Sequence, residues 1–578
     1  MERLLTDDEK AQDAEKRLTA LKEIRQPFEA EVDNIITFVT HGMRKISEKG
    51  GTKGKRTGIE VYDSTCLDAL NILVDGLCGS SISRSFRWFA YTLPQRMGFP
   101  RTSRMRSWNG KRLDEYPEIK EWLADYEEAM YSAFLRSNLY SAISGIVRAA
   151  ASIGTVTPIL EEDVAGGRAV FHVPHFRECY LAENRFGVVD TCYRVYNLSF
   201  RQMADKWGVE KLQGIWPGFK EKLEKNPYAE TEILHAMQPR KDFAPYRVDK
   251  AGLPYASNWF LRSPLKLLEE SGYREQPCFS WRWRKNDDEV YGRSPVWDAM
   301  VEVMTGQQQG RTNLIGGQKM VEPPMVGQED LRGKVNSGPS GWTWVSDVSR
   351  QMPQTLQEKI QLPYGVDAQE RTDEKIHRHL QTNFFMMLSQ AAMNKVDLTA
   401  TQVMEMSGEK AAVIATRVGN AETEILTPVH ERTSAMEDRA GRLPPPPEIL
   451  LALGITGTEI EYLGPFSQLQ KRLFKSKGIR AGLEALGTLI LPLYPQALHV
   501  VDPIKTTRDL LESQGFPVKN FRPAEEVDKA LEEESKAAQL TQQGPEIAKL
   551  LKAIPGLGKK MDEESPLAGI LKEGEGAA

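Results

Sequence analysis

Cysteine is scarce: five residues in 578, at Cys66, Cys78, Cys179, Cys192 and Cys278. None forms a C-x-x-C pair, and the odd number excludes a fully paired disulfide framework, so a reducing compartment is expected. Long apolar runs are missing as well. No stretch approaches the roughly 20 apolar residues that a membrane span requires, so no membrane partner is expected. Nor is there an excess of charge. The net value of −5 provides no basic field, and any contact with nucleic acid must be local or weak. The opening residues, MERLLTDDEKAQDAEKR, are acidic and polar where a secretory signal would be basic and then apolar. They predict no such signal and a cytoplasm-like setting for synthesis. There is no internal repeat.

Catalytic signatures are missing too. The stretch GGTKGKRT at 50–57 invites comparison with a phosphate-binding loop. It fails, because three residues rather than four separate Gly50 from Gly54, Arg56 stands where Ser or Thr should hold magnesium, and no strand precedes it. His172, His175 and Cys179 sit near one another in HVPHFREC, but they read as a strand followed by a turn and lack a fourth ligand. His377 and His379 are two apart and face different sides of a helix. No G-x-S-x-G nucleophile turn occurs. Asp63 and Asp75 read as caps or surface groups. No catalytic residue, cofactor or metal is expected.

What is present is an ordinary soluble composition, 40% hydrophobic and 27% charged, with length for several units. Thr6 followed by Asp7, Asp8 and Glu9 opens a helix, which Pro27 is expected to break. A second helix then carries Val32, Ile35, Ile36 and Val39. In VYDSTCLDALNILVDGLCGSSISRSFRWFAY (61–91), Asp63 or Ser64 caps a helix whose apolar face is Leu67, Leu70, Val74 and Leu77. A small-residue loop and an aromatic strand with Trp88 and Phe89 follow.

Short β-branched and aromatic runs between turns predict an antiparallel unit over 153–290, with one helix inserted near 199–208 and TEILHAMQ and CFSWRWRK as further strands. A helix over 294–320 has an apolar first half and a Gln- and Gly-rich second half. It is too polar for a core and too rich in glycine to stand alone, so it needs close neighbours. An insert over 325–365 includes GWTWVSDV, read as a strand that sets Trp342 and Trp344 on one face. A second helix begins near Asp373, and the loop SQAAMNKVD follows it. A helical run of about 40 residues, roughly 60 Å long, comes next. Thr399 or Thr401 caps it, Pro428 kinks it, and Gly441 with PPPP stops it. The rest reads as mostly helical, ending in a disordered KEGEGAA.

Three stretches together resemble the head-to-tail connecting (portal) proteins of short-tailed double-stranded DNA phages. They are YDSTCLDALNILVDGLCGSSISRSFRWF, then YGRSPVWDAM with its helix and VEPPMV, then LTATQVMEMSGEKAAVIATRVGNAETEILTPVHERTSAMEDRAGRLPPPP. IEYLGPFSQLQK and VVDPIKTTRDLLESQGFPVKNFRPAEEV are weaker echoes, and the resemblance covers about residues 15–530. One departure is Gln402 in Thr399-Ala400-Thr401-Gln402-Val403, where the family usually has Glu. It removes one charge from an expected intersubunit contact.

The resemblance implies an α+β, mainly helical, portal-type fold with wing, stem, clip and crown regions, assembling into a dodecameric ring. It implies a helical wing part over 1–152, a β-rich wing part over 153–290 and a first stem helix over 291–321. A clip over 322–366, a second stem helix over 367–388 and a tunnel loop over 389–398 follow. A long wing helix over 399–443, a helical wing or crown part over 444–530 and a crown or barrel helix with its tail over 531–578 complete it. Leu67, Leu70, Val74, Leu77, Trp88 and Phe89 then form a wing core. Gln390, Asn394 and Lys395 of the tunnel loop face DNA, although Lys395 can equally pair with Asp397 or a neighbouring subunit's acid. Gln328, Glu329, Asp330, Arg332, Trp342 and Trp344 of the clip meet partners, although the two tryptophans can instead pack the clip or an adjacent copy.

Further partners implied are double-stranded DNA, the terminase large subunit, major capsid and scaffolding proteins, and tail adaptors. The place implied is the portal vertex of the virion, after assembly in host cytoplasm. The negative net charge suits a bore that must not grip phosphates, and it is also ordinary for a chain this long. The alternatives are an enzymatic packaging component, nuclease or ATPase, and a structural adaptor without a channel.

Overall fold

The computed structural model describes residues 6–41, 43, 45–47, 61–84, 87–94, 107–108, 111–113, 116–323, 325–326, 329, 344, 347, 354–355, 362–383, 385, 419–455, 457–463, 482, 484 and 506–507. The chain divides into two units, Met1–Gln470 and Lys471–Ala578. Of the second, Gly482, Glu484, Thr506 and Thr507 are described and lie in helix.

Helix α1 (Asp7–Phe38) starts at a capping box: the Thr6 side chain accepts the Glu9 N–H, and the Glu9 carboxylate accepts the Thr6 N–H. Pro27 lies inside this single helix and does not divide it, contrary to expectation. A proline inside a helix removes one hydrogen bond and costs about 3 kcal/mol. Leu18, Leu21, Phe28, Val32 and Ile35 are buried on both sides of it, and this tertiary burial outweighs the local penalty.

Helix α2 (Thr65–Ser81) buries Cys66, Ala69, Leu70, Leu73, Val74 and Leu77, while Leu67 stays half-buried. Leu70, Val74 and Leu77 are buried as expected; the buried face is wider than expected and leaves out Leu67. The helix packs on α4 (Leu139–Ile153), and residues of both helices share one buried cluster. Ser64 makes no capping bond. Asp63 does this work instead, taking the Thr65 N–H at 3.0 Å and its hydroxyl at 2.6 Å.

Strand β1 (Phe89–Thr92) is followed by the short pair β2 (Ser107–Trp108) and β3 (Lys111–Arg112), then by α3 (Pro117–Arg136). Next come β4 (Thr155–Val156) and the hairpin β5 (Ile159–Asp163) with β6 (Arg168–His172). A five-stranded antiparallel meander then runs through β7 (Cys179–Glu183), β8 (Val189–Ser199), β9 (Glu230–Pro239), β10 (Tyr255–Arg262) and β11 (Leu265–Tyr273).

The apolar side of α1 (Ala11, Ala14, Leu18 and Leu21) covers one face of this sheet through Tyr180, Tyr193, Leu234, Ala236 and Phe260. On the other face Ile233, Trp259 and Leu261 receive α5 (Phe200–Trp207), α6 (Val209–Ile215) and α7 (Phe219–Lys225). One helix was expected here and three are found. Gly208 and Gly218, both at positive φ, allow the two sharp reversals between them. β10 and β11, which the sequence reading did not single out, complete the sheet.

After β12 (Trp281–Arg282), the helix expected over 294–320 divides into α8 (Pro295–Asp298) and α9 (Met300–Val321). β13 (Met325–Val326) pairs with β14 (Gln354–Thr355) in the insert. Helix α10 spans Leu362–His379, starting earlier than the expected Asp373 and within the segment assigned to the clip. Pro363 in a first turn is no obstacle, because its missing N–H would have had no helical partner. The long helix, described from Gly419, passes through a π-helical segment (Glu422–Leu426) into α11 (Thr427–Arg439). The Thr427 N–H reaches the Glu422 carbonyl, so the wider turn stands just before Pro428 and the helix continues through it. Gly441, at φ 66°, ends the run as expected.

Finally α12 (Glu448–Ala452) leads to β15 (Glu459–Tyr462), a strand where helix was expected. It pairs antiparallel with β1, Phe89 opposite Tyr462. Chain partners far apart in sequence, not local propensity, decide this element.

Candidate functional site: the helical hairpin and the long helix

Helices α9 and α10 pack antiparallel, as three contacts along them show. Asn313 donates to Gln369 at 2.9 Å, Gly306 faces Thr372, and His379 lies 3.7 Å from Glu302. Glycine permits the closeness. A Cβ at Gly306 would come within 2.6 Å of the Asp63 carboxylate. Gln307 fixes the same segment to α9: its Oε1 accepts the N–H groups of Tyr62 (2.7 Å) and Asp63 (3.2 Å), and its Nε2 donates to the Asp63 carbonyl at 2.6 Å. The polar helix thus has the close neighbours it needs. Its opposite side does not. Val301, Met304, Gln308, Arg311 and Ile315, spaced three and four apart on one stripe, are exposed, with Val301 at 72%.

The long helix is bolted to the body by buried polar groups. Glu424 accepts from the Arg282 backbone N–H at 2.8 Å and from its guanidinium, which also reaches Glu183. Arg432 donates to the carbonyls of Leu160 (3.2 Å) and Glu275 (2.8 Å). Glu437 accepts from Arg136 at 3.0 Å and from Arg442. His430 is fully buried, with Nδ1 2.9 Å from the Tyr91 hydroxyl and the rings of Trp88, Phe89 and Phe134 around it. Burial pushes its imidazole down to about 3, so it is neutral at pH 7.

Of the anticipated site residues, Leu70, Val74, Leu77, Trp88 and Phe89 fall in one buried cluster that also contains Val429 and Met436 of the long helix. Glu329 and Trp344 are exposed, and the residue at Trp344 is not in a strand. Gln328, Asp330, Arg332, Trp342, Gln390, Asn394 and Lys395 lie outside the described residues, as do the loop at 50–57 and the caps Thr399 and Thr401.

The histidines considered as ligands are dispersed. His172 is 3.4 Å from Glu161, and the His175 Nδ1 accepts the Arg177 N–H. His377 is 2.8 Å from the Thr382 hydroxyl. Among the described residues no group of three or more His, Cys, Asp or Glu side chains could hold a metal ion. Cys179 and Cys192, on adjacent strands, share one buried cluster with the distant Cys278, and hydrogen bonding to the other two thiols pushes Cys192 well above its ordinary value. Sequence reading missed this convergence, along with His430 and Arg432, because no local pattern names a partner on a distant stretch of chain.

Two curated proteins are similar over most of their length. The portal protein of Salmonella phage epsilon15 is 26% identical over 546 residues, covering 91% of each chain. A protein of Bordetella phage BPP-1 named "Probable portal protein" is 23% identical over 428 residues, covering 73% of each. The sequence pattern of a family described as bacteriophage head to tail connecting protein matches residues 11–521. With that match spanning nearly the whole chain, and with the hairpin, long helix and aromatic cluster arranged as above, this chain belongs to the bacteriophage head to tail connecting protein family.

Proposed function

We propose that this chain is a phage portal protein, forming a ring around a DNA channel at one vertex of the capsid. The observation that carries the ring is the stripe Val301, Met304, Gln308, Arg311, Ile315, left uncovered on a helix whose other side buries Val303, Gly306 and Gln307. A cyclic ring joins unlike faces of successive copies, and such a stripe is one half of that contact. In this reading α9 and α10 are the stem, and α1–α4 with the meander and the long helix are the wing. The ring is dodecameric. It nucleates the shell with scaffolding and major capsid proteins, docks the terminase large subunit, passes double-stranded DNA and later holds tail adaptors. It performs no catalytic step of its own.

The clip and tunnel-loop assignments follow from the family resemblance. Gln328, Glu329, Asp330, Arg332, Trp342 and Trp344 are the partner contacts, and Gln390, Asn394 and Lys395 face DNA. Lys395 in each copy offers a weak, screened contact that moving DNA can break. The test replaces residues 328–338 with a Gly/Ser linker. Rings should assemble at the wild-type yield while terminase binding and DNA packaging fall steeply. Wild-type packaging by the altered ring would remove the clip from this account.

A further inference from the structure

The hairpin meets the body at two carboxylates. Asp63 enters from the segment before α2, its backbone held by Gln307 and its Oδ1 by the Thr65 N–H and hydroxyl. Its Oδ2 overhangs Gly306 of α9, and Gly306 also faces Thr372 of α10. The next residue, Asp373, has its Oδ1 buried without a hydrogen-bond partner. The groups acting on Asp373 are few. Asp63 and Glu370 oppose its charge, and Thr65 lies within reach of it while its hydroxyl proton goes to Asp63. α9 brings uncharged Gly306 and Gln307 to this junction. Neither Asp63 nor Asp373 has an ion pair among the described residues.

We propose that Asp63 and Asp373 form a proton-operated latch between the α9–α10 hairpin and α2. With Asp373 neutral, the repulsion is absent and the hairpin is held against the body. With both ionised, like charges at a partly desolvated junction oppose each other and the hairpin is freed. Desolvation, and then the Asp63 charge, raise the Asp373 carboxyl to about 6. An acid whose folded value is raised binds its proton more tightly in the folded state. Its stabilising contribution is therefore complete below the unfolded value of 3.8 and is lost as pH rises through about 6. The latch is closed in mild acid and open at neutral pH. It depends on the fold alone and not on the ring.

The test is hydrogen exchange on the full chain at pH 5 and pH 7.5, corrected for intrinsic rates. The wild type is compared with Asp373→Asn, which keeps size and removes charge. A two-unit displacement corresponds to a hundredfold change in opening; discounted for a half-exposed group, roughly tenfold slower exchange is expected in α10 of the variant at pH 7.5. At pH 5 the two proteins should differ much less. Asp63→Asn, whose amide oxygen can still accept from Thr65, should give the same protection, and the double variant little more. If Asp373→Asn does not fold, Asp63→Asn carries the same comparison. Equal exchange at pH 7.5, protection independent of pH, or fully additive effects of the two substitutions would overturn the latch.

Discussion

Replacing Phe89 with alanine should lower the unfolding free energy of the first unit by about 3–5 kcal/mol, the range for deleting a fully buried aromatic ring. Phe89 stacks on Tyr131 with centroids 4.1 Å apart and meets His430, Trp88 and Phe134 edge-on. Its strand also pairs with β15, so the loss reaches three parts of the chain at once: α3, the long helix and β15. Urea unfolding followed by tryptophan fluorescence measures it, because Trp88 lies in the same cluster. Val301→Ala, on the exposed stripe, should change the stability of the free subunit by no more than about 0.5 kcal/mol. A loss below about 1 kcal/mol for Phe89→Ala would mean that the aromatic cluster does not hold these elements together.

Acid should unfold the protein well above the pH at which carboxylates alone would fail. Burial pushes His430 and His235 each down to about 3, and burial followed by the Arg177 and Arg25 charges pushes His175 down to about 4. Each unfolded imidazole titrates near 6.5, so below that pH the unfolded chain binds protons that the folded chain refuses. Stability is complete above 6.5 and falls as pH drops toward the folded values, by about 1.4 kcal/mol per unit for each group. Asp373 works in the opposite direction between 3.8 and about 6, but it is one partly exposed group against three buried ones. Melting temperatures from pH 7.5 to pH 4.5 should therefore fall steadily. His430→Phe should flatten the slope even if it lowers stability at pH 7.5 through loss of the Tyr91 bond. An unchanged slope would mean that His430 takes up its proton in the folded state.

Local chemistry in the sequence foretold some of this. The Thr6 box, the α2 register apart from Leu67, the aromatic strand and the Gly441 stop are each written within a few residues, and so could be read directly. What could not be read depends on distant partners. Pro27 remains helical because residues on both sides of it are buried. Arg25, spaced like a surface residue, donates to the carbonyls of Phe176, Arg177 and Cys179. β15 is a strand because β1 lies beside it. In the candidate site, the glycines and glutamines of α9 announced that something must come close. They did not say that it would be Asp63, Thr372 and α10. The family resemblance supplied function where composition and spacing supplied only exclusions.

The central claim is the ring. Native mass measurement and negative-stain imaging of the purified full chain test it together, because mass gives the number of copies and images show whether they enclose a hole. The account predicts a species near twelve copies of 65.1 kDa, seen end-on as a ring with an open centre. A protein that remains monomeric at micromolar concentration, with no larger species even when scaffolding protein is added, would contradict it.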